Sequence, residues 1–160
     1  MSIKMKLAYD EKAEVKKLFS EYTNMLVETD PDMAIYLEIQ NYDDELEHLE
    51  KKYGLPEGRL YIIYVDDKPA GCVALRKLSE ENCKLKRLYV RPEFRGNGFS
   101  YTLIKKVIDD AKSIGYKGML LDTLPFLESA IHLYKKFGFY EIGPYNDSPV
   151  ETTIFMKLDL

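Results

Sequence analysis

A mixed α/β fold follows from three features of the chain. Between Arg59 and Val90, short β-rich runs alternate around tight turns. Near Phe99 the hydrophobic period changes from two to about 3.6. Beyond Gly115, strand and helix patterns alternate again. With 160 residues and no internal repeat, low-complexity tract or Gly/Ser linker, the chain is expected to form one domain over residues 1–160, long enough to bury a sizeable core.

From Asp10, read as an N-cap, apolar residues recur at Val15, Leu18, Phe19, Tyr22 and Leu26, which is a helical stripe. A shorter helix is expected over Asp43 to Lys51, with Leu46 and Leu49 inward and "GLPEG" ending it. The runs "RLYIIYV" and "AGCVALRKL" read as strands around a turn at Asp66, Asp67, Lys68 and Pro69, and "CKLKRLYV" continues the meander. Phe99, Leu103, Ile104, Val107, Ile108, Ala111 and Ile114 share one face of a helix whose other face carries Lys105, Lys106, Asp109, Asp110 and Lys112. Strand Gly118 to Thr123, helix Leu127 to Lys136, strand Phe139 to Gly143 and strand Thr152 to Leu158 complete the order. The strands ending near Val90 and starting near Gly118 flank a helix, so they are expected to run parallel through a right-handed crossover.

Charge and composition exclude several functions. A formal net charge of −4 and a pI near 5.3 argue against a general nucleic-acid surface, which needs concentrated Lys and Arg. No segment approaches the ~18 consecutive apolar residues of a membrane span, and "MSIKMKLAYDEKAEV" lacks the apolar run of a signal peptide. A cytoplasmic address is the simplest expectation. Cys72 and Cys83 read as free thiols, because antiparallel pairing through a turn at Ser79 to Asn82 sets Cys83 near Leu78 and Cys72 near Tyr89. His48, flanked by Glu47 and Glu50, and His132, turned away from Tyr134, both read as solvated. With these scattered His and Cys residues, no metal is expected.

The stretch "RLYVRPEFRGNGFSYTLIKKVIDDA", starting at Arg87, carries the chemistry. Gly96 and Gly98 sit between a strand and a helix whose N-terminus has unpaired N–H groups and a positive dipole end. Such a loop can wrap a phosphate, with Arg95 adding charge and Ser100 a hydroxyl. A tight turn is the plainer reading of the same glycines. The loop has no Lys-Ser/Thr after the second Gly, so it is not a P-loop, and it lacks the third Gly of a dinucleotide fingerprint.

Two motifs together resemble the GNAT superfamily of N-acetyltransferases. "VRPEFRGNGFS" resembles its acyl-CoA motif Arg/Gln-x-x-Gly-x-Gly/Ala, with Arg95, Gly98 and Ser100 at the fixed positions. "AIHLYKKFGFYEIG" resembles its second hallmark through Ala130, Ile131, Leu133, Tyr134, Gly138 and Phe139. The resemblance implies a mixed sheet of about seven strands, splayed between the fourth and fifth, which end at Val90 and Thr123, with about four flanking helices. It implies acetyl-CoA as co-substrate in the splay, held by backbone groups of Leu88, Tyr89 and Val90 and by the loop Arg95, Gly96, Asn97, Gly98, Phe99 and Ser100. It further implies transfer of an acetyl group to a primary amine, a small molecule being preferred, by direct transfer in a ternary complex. A non-catalytic acyl-CoA-binding module and a protein acetyltransferase are the alternatives.

Tyr134 matches the family's usual general acid, which protonates the departing sulfur. It also lies on the face of Ile131 and Leu127, where packing is the ordinary use of an aromatic ring. Many relatives carry Asn where this chain has Leu127, so one polar contact to the cofactor is absent or replaced. The carboxylate that relatives place on the strand "NCKLKRLYV" is missing too, Lys84, Lys86 and Arg87 standing there instead. Asp122 is then the candidate base, with pairing to Arg87 or capping of the next turn as its alternatives; Glu38 is a further candidate. Acceptor-side candidates are Glu38, Tyr42, Arg76, Arg87 and Tyr145, the arginines suiting an acceptor with a carboxylate as well as an amine. No nucleic-acid or membrane partner is expected, and a homodimer is allowed.

Overall fold

The computed structural model describes all 160 residues. Its strands are β1 (Ile3–Leu7), β2 (Arg59–Val65), β3 (Lys68–Lys77), β4 (Asn82–Val90), β5 (Gly118–Thr123), β6 (Tyr140–Ile142) and β7 (Ile154–Asp159). They form one seven-stranded sheet in the order β1-β2-β3-β4-β5-β7-β6. The helices are α1 (Lys12–Thr29), α2 (Met33–Ile39), α3 (Tyr42–Glu47), α4 (Leu49–Tyr53), α5 (Phe99–Ile114) and α6 (Glu128–Phe137). None is long and apolar enough to cross a membrane.

Successive strand residues point to opposite faces, so each central strand feeds two cores. Tyr61, Ile63, Val73, Leu85, Met119 and Leu121 pack under the apolar stripe of α5, with Tyr134 of α6 in the same cluster. Leu60, Ile62, Cys72 and Ala74 pack on the other face against Val15, Leu18 and Phe19 of α1 and Leu49 and Tyr53 of α4. The two cysteines belong to different faces, and both are free. Cys72 stands opposite Tyr89 and Cys83 opposite Lys77, within one residue of the expected register.

Several expectations need correction. β1 is a strand that the sequence pattern does not mark, because "IKMKL" is mostly exposed at the sheet edge and carries little apolar pattern. The helix expected over Asp43 to Lys51 is two helices, broken at His48 (φ −134°, ψ 61°). The connection from Glu28 to Tyr42 contains α2, so the helices number six rather than about four. Glu11, not Asp10, precedes α1, and it makes no side-chain cap, while Asp10 accepts a hydrogen bond from Lys6 at 3.3 Å. The β2–β3 turn is tighter than expected: Asp66 and Asp67 both take positive φ (49° and 65°), as a two-residue hairpin requires, and β3 begins at Lys68.

Two irregularities position the site. Cys72 pairs with Tyr89 but Ala74 pairs with Lys86, so β4 has one extra residue there, and Arg87 takes φ 58°. A bulge of this kind bends its strand. β4 and β5 are parallel, as expected, yet they pair at only three positions, Asn82 with Gly118, Cys83 with Met119 and Lys84 with Leu120. Beyond Lys84 the β5-facing edge of β4 has no strand partner, and the sheet opens.

Candidate active site

A cleft of about 630 Å³ fills the opening. Its walls are Leu88, Tyr89 and Val90 of β4, the loop Arg95 to Ser100, and Phe126, Leu127, Glu128, Ser129, Ala130, Leu133 and Tyr134 around α6. The loop is built for close approach. Gly96 and Gly98 hold φ 81° and 79°, a region L side chains rarely adopt. A Cβ added at either would meet no heavy atom within 4 Å, so the space above the glycines is open to a ligand rather than filled by protein. Thr102 donates the first helical bond of α5, to the Gly98 carbonyl at 3.1 Å, which leaves the amides of Phe99 to Tyr101 ahead of it. No acidic residue stands in that first turn to offset its positive end.

Arg95 ties this loop to the strand. Its Nε donates to the Val90 carbonyl at 2.9 Å, and its guanidinium lies 5.9 Å from the Tyr89 ring. Every expected cofactor residue lines the cleft except Asn97, whose amide donates back to the Phe94 and Arg95 carbonyls at 3.0 and 3.3 Å. An open, amide-lined, positively polarised loop beside an unpaired strand edge fits the diphosphate and amide-bearing arm of a coenzyme A thioester.

A second, narrow pocket of about 50 Å³ adjoins the cleft. Tyr22, Leu88, Leu127 and Tyr134 line both, which places them at the junction. Tyr134 is buried, its ring 5.6 Å from that of Phe139, and its hydroxyl makes no hydrogen bond to another residue. Burial, with lesser contributions from Tyr22 and Asp122, pushes its pKa well above the usual phenol value, so it carries its proton at neutral pH. Tyr22 opposite it is raised to about 12, again chiefly by burial.

The narrow pocket is walled by charge. Asp122 accepts from Tyr36 at 2.8 Å and Tyr145 at 3.0 Å and pairs with Lys84 at 2.6 Å. Burial raises its pKa, but Lys84 and the hydrogen bonds outweigh this and hold it below the usual carboxylate value. Its ion partner is therefore Lys84 and not Arg87. Arg87 is buried against Glu45, with Nε and Nη2 at 2.8 and 3.0 Å from the two carboxylate oxygens, and its guanidinium lies 5.2 Å from the Tyr42 ring. Lys52 also reaches Glu45, at 3.0 Å. Burial opposes ionisation of Glu45, yet Arg87, Lys86 and Lys52 prevail and set its pKa at about 2.

Of the acceptor-side candidates, only Arg87 lines the narrow pocket; Tyr42 lies against its guanidinium and Tyr145 bonds Asp122, and neither lines the pocket itself. Glu38 is exposed on α2 and lines neither pocket, and Arg76 is half-buried with no carboxylate partner. Residues not singled out for this site are Tyr22, Gln40, Glu45 and Asn146, the last donating to the Tyr36 hydroxyl at 2.9 Å. The visible signal was "KLKR", three cations on a central strand. Their partners come from three other places in the chain: Asp122 on β5 for Lys84, Gln40 just after α2 for Lys86 and Glu45 on α3 for Arg87. No group of three or more His, Cys, Asp or Glu side chains could hold a metal ion.

A split mixed sheet with a glycine loop at a helix N-terminus and a protonated tyrosine at the junction of two pockets is an arrangement suited to group transfer between two bound molecules. The model of the Acetyltransferase (GNAT) family matches residues 17–139. An uncharacterised N-acetyltransferase of Schizosaccharomyces pombe is 40% identical over 126 residues, covering 78% of this chain and 77% of that protein. An acetyltransferase structure from Streptococcus agalactiae superposes with a TM-score of 0.78 at 21% identity, covering 99% of this chain and 98% of that one. A GNAT family acetyltransferase from Elizabethkingia anophelis, solved with acetyl-CoA bound, superposes with a TM-score of 0.57 at 24% identity over 71% of this chain and 82% of that one. The chain belongs to the acetyltransferase (GNAT) family, and it is an acyltransferase.

Proposed function

We propose that this acyltransferase uses acetyl-CoA and transfers the acetyl group to the primary amine of a small molecule, directly, with both substrates bound. The observation that carries the reading is the free, protonated hydroxyl of Tyr134 at the junction of a wide cleft and a narrow pocket. Acetyl-CoA supplies a thioester carbonyl open to attack by an amine.

The chain's own groups supply the rest. The first-turn amides of α5 and the glycine loop bind phosphate oxygens. The unpaired edge of β4 at Leu88 to Val90 bonds the extended arm, and a backbone N–H near Val90 stabilises charge developing on the carbonyl oxygen. Leu127 and Phe126 give an apolar wall where an Asn would bond the arm. Tyr134, kept protonated by its raised pKa, donates its proton to the sulfur as the C–S bond breaks, and the proton that the attacking amine gives up restores the phenol. Asp122, stabilised by three donors, is a weakened base; with Tyr36 it lines the acceptor pocket, and Lys84 and Tyr145 fix its position.

The narrow pocket, about 50 Å³, favours the head of a small acceptor over a protein surface. The test is acetyl-CoA turnover across a panel of small primary amines and lysine peptides, read as free thiol released. Thiol release with small amines supports the proposal. Release with peptides alone overturns the acceptor class, and acetyl-CoA binding without release throughout the panel overturns the transfer.

A further inference from the structure

The acceptor wall has more positive than negative charge, and one cation is left over. Lys84 pairs with Asp122. Arg87 and Lys52 share Glu45. Lys86, equally buried, has no carboxylate: its only partner is the Gln40 side-chain oxygen at 2.9 Å, and Arg87 Nη2 donates to that same oxygen at 2.9 Å. Four cations thus face two carboxylates, and Lys86 and Gln40 both line the narrow pocket. The Gln40 amide nitrogen donates to nothing in the protein, so it and the Lys86 ammonium are unspent donors on one wall.

We propose that the acceptor is an amino acid-like molecule whose carboxylate docks on Lys86 Nζ and the Gln40 side-chain amide while its amine points toward Tyr134. The inference rests on the acetyl-transfer reading above and specifies its acceptor. A buried ammonium with a single neutral partner is under-compensated, and a carboxylate supplies both the charge and the hydrogen bonds it lacks. Burial and the neighbouring Arg87 do push the Lys86 pKa well down, with Lys84 and Lys52 adding to them and only Glu45 opposing. An arriving anion reverses that balance. Arg87, the side chain that the sequence offers first for this task, is committed to Glu45 and holds the wall rather than the ligand.

The pocket's size points to a carboxylate borne by a compact molecule. Lys86, Gln40 and Tyr134 line the same pocket, and Tyr134 also lines the cleft, so a molecule held by its carboxylate at Lys86 shares that small space with the Tyr134 hydroxyl.

The experiment compares common L-amino acids and straight-chain ω-amino acids, each beside its own carboxamide, which keeps the amine and removes the charge. Free thiol release gives kcat/KM, and calorimetry gives binding of the same compounds. A charge-assisted pair predicts that at least one acid is preferred over its amide by ~10-fold or more. Lys86→Gln should bring that ratio to near one, mainly through KM, and Lys86→Arg should restore part of it. Should Lys86→Gln fail to fold, the wild-type ratio decides alone. Amides turned over as well as or better than acids overturn the inference and leave acetyl transfer standing. Acids that bind in preference to amides without any thiol release support the docking site and count against transfer. No preference in either measurement rejects the docking site.

Discussion

Tyr134 illustrates how one residue divides packing from chemistry. Its ring belongs to the main core beside Phe139, while its hydroxyl reaches the junction of the two pockets without a partner. Tyr134→Phe keeps the ring, so melting temperature and acetyl-CoA affinity should change little. If the phenol protonates the leaving sulfur, kcat should fall by ~10²-fold or more. An unchanged kcat would leave Tyr134 as a packing residue. The cysteines make the opposite case, of reactive groups with nothing to do. Cys72 and Cys83 are fully buried on opposite faces of the sheet, and burial pushes Cys83 up to about 12 and Cys72 further. A thiol reagent at neutral pH should therefore react with neither in the native protein and with both after denaturation, since it attacks the thiolate. Rapid reaction of the native protein would contradict their placement.

At the scale of elements, the loop before α5 shows sequence and structure in closest agreement. The change of hydrophobic period at Phe99 and the spacing of Gly96 and Gly98 were both legible, and the structure gives an α5 that starts at Phe99 and glycines at φ 81° and 79°. Gly98→Val should weaken acetyl-CoA binding by ~10-fold or more, through a side chain intruding above the loop and through the strain of a β-branched residue at positive φ. Affinity equal to wild type in a folded Gly98→Val protein would remove the loop from the binding site. Elements on the acceptor side were far less legible. α2 and α3 are seven and six residues long, too short for a 3.6-residue period to stand out, and Glu45 looks like one more surface acid among Asp43, Asp44 and Glu47. Its burial arises only because Arg87 reaches it from a strand 42 positions away, which no local pattern encodes. Likewise "CKLKRLYV" announced cations on a central strand, but the bulge that gives Arg87 its φ of 58° leaves no local mark.

For the molecule as a whole, the Glu45 cluster links α3, α4 and β4, and its protonation should be felt globally. The Glu45 carboxyl is depressed to about 2 in the folded state, against about 4.5 for the free side chain. A depressed folded pKa contributes stability above the unfolded value and loses it as pH falls through the folded one, here between about pH 4.5 and 2. The shift corresponds to roughly 3 kcal/mol. Glu45→Gln, which leaves Arg87 and Lys52 buried without their anion, should cost about 3–5 kcal/mol at neutral pH and flatten the acid limb of denaturant midpoint against pH. A variant whose midpoint falls with acid as steeply as wild type would assign that limb to other carboxylates.

The three-pair seam between β4 and β5 makes the sheet a book of two leaves, β1 to β4 on one side and β5, β7 and β6 on the other, bound only along a short spine. Whatever lies between the leaves acts as their clasp. A ligand present at 100 times its dissociation constant stabilises the native state by about 2.7 kcal/mol. Because the cleft is walled by β4 on one leaf and by the start of α6 beside the other, backbone amides of Leu88 to Val90 and those of Leu127 to Ala130 should slow their deuterium exchange together when acetyl-CoA is added. Slowing confined to the β4 side would mean that the coenzyme rests on one leaf and leaves the book open.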